Sequence, residues 1–543
     1  MGGVTMKKKI FFGVIFILIA AGAMLPRQGF AFYLLGDKLR VKGSVYEMLI
    51  YGVNYNKKTS TYRDTHWGLV RTKATLELLF KAIDCPENSL NYFGFFKYYY
   101  EATPEIDGKY RATISPHLRR SFQKCNYYPD EWINELYADY YHGPWNIRAG
   151  KQIVFWSEVE LVRTIDQINQ LDIRHTTPGM DAWDEVKIGL WMLRGFYNSQ
   201  LPGQLIFEGM WIPDFRPVRT PTEGTFWGDP PGPPTPTDPP YNGQNAGIET
   251  QWRRSKPTVN LRHSSFAARI RGNSEVRIFK TPYLLDWTLS YLYAPNSTPV
   301  ARHKYLGAAR STNTDPDTLN GYGNRNANAR LAGDPLPDLP NHRFWNYKYM
   351  HFIGGSVQTF VPKLKGVVRG ELMYEINRPE NTSDPKEPAA SYAKQITGTA
   401  TRNAINAGIT YDVPIPVGLL RSPKMQWLGS SGSVDTSFGW FEQWRLGDVQ
   451  NIRRTFGYKQ KIQTGFTCTA RTGLRNNAFT PVFRGLVNTR KWGYAVFALA
   501  YTPGAHFRYE LGYMAFFAHN IWDSDTAHAK GKDNIYLRFG YEF

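Results

Sequence analysis

The stretch that decides how the chain is read is its last ten residues, Asn534-Ile-Tyr-Leu-Arg-Phe-Gly-Tyr-Glu-Phe543. Ile535, Leu537, Phe539, Tyr541 and Phe543 fall on one face of a period-two strand, while Asn534, Tyr536, Arg538, Gly540 and Glu542 fall on the other. Alternation of this kind marks a half-buried strand. Because the apolar face runs to a terminal Phe with no polar tail, it fits the closing strand of an outer-membrane barrel, with lipid outside and water within. An edge strand of a soluble sandwich is the rival reading, and the rest of the chain decides between them.

Similar segments recur upstream. From Lys38 to Val53 the odd positions Leu39, Val41, Val45, Leu49, Tyr51 and Val53 are apolar, against Lys38, Arg40, Lys42 and Ser44. From Trp67 to Lys81, Val70, Leu76, Leu78 and Phe80 alternate with Arg71, Lys73, Thr75 and Glu77. Eighteen such segments reach to the C-terminus, most of them long enough for a tilted spanning strand of about ten residues. Their connections alternate in length. Short ones sit at His142-Gly143-Pro144, 198–202, Gly272-Asn273-Ser274, Pro362-Lys363 and Thr502-Pro503-Gly504, and long ones at 103–130, 157–185, 214–263, 295–345, 378–400 and 519–533. Outer-membrane barrels have short periplasmic turns and long outer loops, whereas a sandwich has no reason to alternate them. The reading is all-β: a transmembrane antiparallel barrel of about 18 strands. Because 479–487 is weak and 414–432 is long where a short turn is due, sixteen strands also fits.

Composition agrees. Aromatics are 15% of 543 residues, with 34 Tyr, 32 Phe and 16 Trp. Mean hydropathy is negative and no long apolar run follows the N-terminus, which excludes a helical membrane protein. Lys7-Lys8-Lys9, the apolar run Ile10 to Met24 and Gly29-Phe30-Ala31 read as a signal peptide over 1–31, leaving 32–543 as the barrel. The net charge is +19, and removing Lys7, Lys8, Lys9 and Arg27 leaves +15. Dispersed positive charge suits anionic solutes or the phosphates of surrounding lipopolysaccharide, and not nucleic acid. With only Cys85, Cys125 and Cys468, and the first two at opposite rims, no structural disulfide is expected. The Pro/Gly-rich loops 214–263 and 295–345 are expected to cover or gate the outer mouth.

The period changes in one place. Ser157 with Glu160 makes a capping-box pattern, and Leu161, Val162, Ile165, Ile168 and Leu171 follow at near-helical spacing. A short amphipathic helix is expected in this third long loop. Folded into the lumen against Phe93 and Phe95, it would narrow the pore. It would then set Glu158, Glu160 and Asp166, with Arg163, across from a basic wall of Arg40, Lys42, Arg71, Lys73, Lys365 and Arg369. Opposed charge of that kind orients and selects solutes. Packing on the outer loops, with the bases paired to Glu77, Glu371 and Glu375, is the alternative.

The run Gly150-Lys-Gln-Ile-Val-Phe-Trp-Ser-Glu158, continued by Ile165-Asp-Gln-Ile-Asn-Gln-Leu-Asp172, resembles the signature of a bacterial outer-membrane family known as domain of unknown function 1302. The matching positions are Gln152, Trp156, Glu158, Asn169 and Asp172, while Ser157 stands where the family has Gly. Arg194-Gly-Phe-Tyr197 and Glu208 to Arg216 are similar to a strand pair of that family. The resemblance implies an outer-membrane barrel associated with passage of hydrophobic or lipid-like compounds alongside an inner-membrane pump, with no catalytic residues.

No phosphate loop, H-E-x-x-H, C-x-x-C or G-x-S-x-G occurs, and no cofactor or metal signature is present. His142, His351, His506 and His519 have no partner at fixed spacing. The expectation is a non-enzymatic, porin-like channel. A structural or adhesive barrel with a plugged lumen is the first alternative, and an outer-membrane hydrolase is a weaker one.

Overall fold

The computed structural model describes residues 32–53, 67–108, 129–159, 163–174, 183–219, 225–227, 264–278, 280–297, 300–301, 345–383, 396–418, 432–447, 452–453, 461–489, 492–518 and 532–543, with a few single positions between them. Eighteen antiparallel strands close on themselves. They are β1 Leu39–Gly52, β2 Trp67–Asp84, β3 Asn88–Glu101, β4 Ile133–His142, β5 Trp145–Gln152, β6 Leu190–Asn198, β7 Ile206–Ile212, β8 Ser265–Ile278 and β9 Thr281–Pro295. The second half comprises β10 Tyr349–Val361, β11 Gly366–Ser383, β12 Ile396–Pro416, β13 Ser433–Arg445, β14 Ile462–Arg471, β15 Phe479–Asn488, β16 Trp492–Tyr501, β17 Phe507–Ala518 and β18 Asn534–Glu542. Each strand pairs with its neighbour in sequence, and β18 returns to β1 in the register Ser44↔Glu542 through Gly52↔Asn534. Closure leaves no unpaired edge, which hydrocarbon requires because it offers backbone groups no hydrogen bond.

The seam confirms the terminal reading. Backbone bonds of 2.9 Å run both ways between Gly43 and Phe543. Ile535 and Leu537 face outward and are exposed, whereas Tyr536 faces inward and is fully buried. The outward band continues through Leu136, Leu193, Leu289, Leu372, Phe438 and Phe497. Aromatic rings flank it at both ends, as interfacial girdles do. At the short-turn end are Phe80–Tyr92, Trp145–Tyr197, Phe479–Tyr501 and Tyr509–Phe539, and at the long-loop end Tyr51–Trp67 and Tyr293–Tyr349.

Three sequence expectations are corrected. Gly272-Asn273-Ser274 is not a turn: β8 runs through it, Asn273 pairs with Asp286, and the hairpin turns beside Lys280 at φ +69°. Lys365 is not on a strand face. It is the exposed last residue of the turn before β11, at φ +54°. The helix expected in 157–175 does not form among the described residues; Glu160, Leu161, Val162 and His175 lie outside them. The helix in this connection is the single turn α1, Trp183–Val186. Cys85 and Cys468 are free thiols, and Cys125 lies outside the described residues.

Candidate pore constriction

The connection from β5 to β6, residues 153–189, enters the barrel. Gly150 sets up its departure with φ +136°, where a Cβ would lie 2.3 Å from the Leu136 carbonyl oxygen. A side chain at this position would force the strand pair apart.

Asn169 then stitches the two ends of the connection together. Its Oδ1 accepts the Val154 amide at 2.8 Å, and its Nδ2 donates to the carbonyls of Gln152 (3.0 Å) and Ile188 (2.8 Å). The fully buried amide does the work of a missing strand partner, as buried backbone groups require. Gln152 donates to the Met192 carbonyl at 3.1 Å. Trp156 is 1% exposed within an apolar cluster that takes Ile165 and Ile168 from the loop and Leu190, Met210, Leu292 and Phe352 from the wall. The Arg269 guanidinium lies over its ring at 5.3 Å.

Glu371, on the inner face of β11, explains why no helix starts at Ser157. The Ser157 hydroxyl donates to both Glu371 oxygens at 2.9 Å, and the amides of Glu158 and Val159 donate to the same carboxylate. Glu371 therefore takes the bonds that a helix cap would have used. Wall glycines admit the loop. A Cβ on Gly408 would lie 2.8 Å from the Thr164 hydroxyl, and one on Gly354 would lie 3.0 Å from the Ile165 methyl. Phe93 and Phe95, the receivers expected from sequence, are lumen-side wall residues. Phe93 stacks with Tyr137 at 5.0 Å.

Charge fastens the loop to the other walls. Lys187 is fully buried, ion-pairs with Asp166, donates to the Val154 carbonyl at 2.9 Å and lies over the Phe155 ring. Glu185, on α1, meets Lys73 of β2 at 2.6 Å and Arg538 of β18 at 3.9 Å, and Lys97 of β3 donates to its backbone carbonyl. Asp172 pairs with Arg174 and Arg219, which also share Glu131. Loop contacts thus reach β2, β3, β10, β11, β12 and β18, so the segment crosses the lumen. Sequence reasoning missed Lys187 and Glu185. The signal for Lys187 was a lone lysine inside the run Val186-Lys-Ile-Gly-Leu-Trp191.

Among the residues expected to make opposed charge layers, Arg40 pairs with Glu77 at 3.0 Å, Arg369 with Asp412, and Arg163 lies 3.9 Å from Asp166, all locally, whereas Lys73 reaches Glu185 of the loop. Arg71 is buried beside the Met48 sulfur and the Tyr99 ring. Lys42 and Glu158 have no ion-pair partner among the described residues, and Glu160 lies outside them. A second insertion fills the opposite side, where Phe226 and Trp227 pack on Met48, Leu69, Val496 and Met514. A cavity of about 290 Å³ remains between loop residues 163–170 and β10 to β14.

A pH response follows from Glu185. Burial alone would lift its carboxyl, but Lys73, Arg538 and Lys97 outweigh burial and hold it below the ordinary value. A depressed carboxylate contributes stability above its unfolded value of about 4.3 and loses it as pH falls through the lower folded value. Acidification from pH 6 to below about 4 is therefore expected to loosen the loop, read as faster protease cleavage within 153–189. The E185Q variant should be cleaved readily at pH 6 and lack that step; an identical pH profile would remove Glu185 from the clamp.

A family model described as "Protein of unknown function (DUF1302)" matches residues 54–460, about three quarters of the chain. The chain belongs to this family. DUF1302 residues 54–460 thus include the whole crossing loop and β2 to β13. No curated protein matches. Similar solved structures include the Salmonella typhi OmpF complex with daunomycin (8% identity, covering 94% of this chain and 100% of that one, TM-score 0.40). Acinetobacter baumannii OccAB3 (7%, 93% and 99%, 0.41) and Pseudomonas aeruginosa OccK1 (8%, 93% and 98%, 0.40) are others.

Proposed function

We propose that this DUF1302 barrel is an outer-membrane channel of a Gram-negative bacterium that passes small polar solutes passively, with the 153–189 loop as its narrowest point. The observation that carries this is the loop's path, buttressed by Glu371 on one wall and by Lys73 and Arg538 on another. Eighteen strands enclose more space than wall side chains fill, and the crossing loop reduces it to a selective passage. Locally paired charges favour sieving by size and hydrogen bonding over a strong transverse field. A polar cavity suits polar cargo better than the lipid-like cargo that the family resemblance implied. Folding into detergent and recording in planar bilayers tests the proposal: discrete conductance steps, smaller than an unobstructed barrel of this size would give, are expected. The two apolar clusters within the lumen favour one rival reading, a plugged structural barrel, which predicts no steps at all.

A further inference from the structure

Half of the side chains around the cavity beside the loop are amides or aromatic rings. Gln167 and Gln170 come from the loop, Asn406 from β12, Gln443 from β13 and Gln463 from β14. Phe352 of β10 and Phe441 of β13 supply the rings. Phe441 lies across Gly465 of the next strand, where a Cβ would be 2.1 Å from its ring, so the glycine allows the ring to lie flat on the wall.

Both cations in this lining have carboxylate neighbours, and a further lining carboxylate, Glu442, has no ion-pair partner among the described residues. Arg378 donates to Glu375 at 2.6 Å and sits 3.5 Å from Glu380, while Arg163 lies beside Asp166. Glu375 also accepts from Asn406 at 2.8 Å, and Asn406 accepts from Gln443 at 2.5 Å. Several amides keep capacity to spare. Gln463 sits in the strand ladder opposite Gln443, and its side-chain amide has no hydrogen-bond partner among the described residues. Gln167 and Gln170 spend their NH2 groups on backbone carbonyls at 2.8 and 3.3 Å, which leaves their side-chain oxygens open.

We propose that this cavity is a binding station for a neutral polyhydroxylated solute of about one sugar ring, held in transit through the channel. An anion would meet cations that already have carboxylate neighbours, and the Glu442 carboxylate besides. An apolar solute would strand the amides without partners, at a cost in free energy. Hydroxyl groups both donate and accept, as amides do, and the carbon face of a sugar ring packs against an aromatic ring. The volume lies at the small end of the range for small-molecule sites, roughly 300–1,000 Å³.

This inference rests on the channel reading for transit, but binding is measurable without conduction. Calorimetry with D-glucose and maltose is run on the full chain in a polyoxyethylene detergent, which has no sugar headgroup, with benzoate as the anionic comparison. Saturable sugar binding is expected, weakened about tenfold by F441A and by Q463L, the effect of losing one good contact. Heat-modifiable gel mobility confirms that each variant is folded. The same sugars should reduce channel current in bilayers with the same order among variants. No sugar binding, tighter binding of benzoate, or equal affinity in folded variants would overturn the station even if the pore conducts. Sugar binding to a barrel that shows no conductance would keep the station and remove the channel.

Discussion

Removing residues 158–175 and joining the ends with a short Gly-Ser linker is expected to raise single-channel conductance roughly three- to tenfold, since barrels of 16–18 strands hold an aqueous channel unless something fills it. The strand ladder that makes the barrel is untouched by the deletion, so heat-modifiable mobility should remain. The deletion takes out Thr164, Ile165 and Ile168, and with Ser157 left in an unstructured linker it frees Glu371 to hydrate. An unchanged conductance with a folded barrel would mean that the passage runs elsewhere.

The second large effect is expected at Lys187. Its side chain is fully buried and the Asp166 side chain is 4% exposed, so K187M strips the carboxylate of its close partner in a water-poor site and leaves only Arg163, 3.9 Å away. Breaking a buried pair from one side costs about 3–5 kcal/mol. Here that cost falls on the loop's docking and not on the barrel, shifting the docked population by a factor of about a hundred to several thousand. Protease cleavage within 153–189 should rise accordingly while the barrel stays heat-modifiable. The double variant K187M/D166L should recover part of the protection, because the carboxylate is no longer stranded, although Arg163 then loses its acidic neighbour. If the single variant were as protected as the parent, the pair would be dispensable to docking.

The barrel was legible because hydrocarbon imposes the same demand on every strand: apolar residues outward at every second position and no free backbone. That demand is local, so residues such as Leu537 and Tyr536 declare their faces from neighbours alone. It failed at Gly272-Asn273-Ser274, where small polar residues mimic a turn although Asn273 is an ordinary inward-facing strand residue paired with Asp286. Lys365 was misplaced for the same reason, since two turn-forming residues could not show that the turn has four.

The crossing loop was legible as a departure from period two, but its conformation was not. Ser157 and Glu160 carry the marks of a helix start, yet the partner that overrides them, Glu371, lies 214 residues away. Ile165 and Ile168 follow helical spacing because both must be buried, and both enter one apolar cluster at the wall, while Val159 packs beside Gly408. Asn169 and Asp172 were picked out by family resemblance, and their roles became physical only when Val154, Ile188 and Arg219 were brought beside them. Long-range pairing of this sort leaves no periodic trace in a single sequence.

Disulfide trapping between Thr164→Cys in the loop and Gly408→Cys in the wall, with the three native cysteines replaced by serine, asks directly whether the loop lies across the lumen of the folded barrel. Oxidation of the outer-membrane-embedded protein should link the pair nearly completely, shift its mobility on a non-reducing gel and keep conductance at the parent level. Two unlinked cysteines, both reactive toward a membrane-impermeant maleimide in a barrel that is still heat-modifiable, would place the loop outside the lumen.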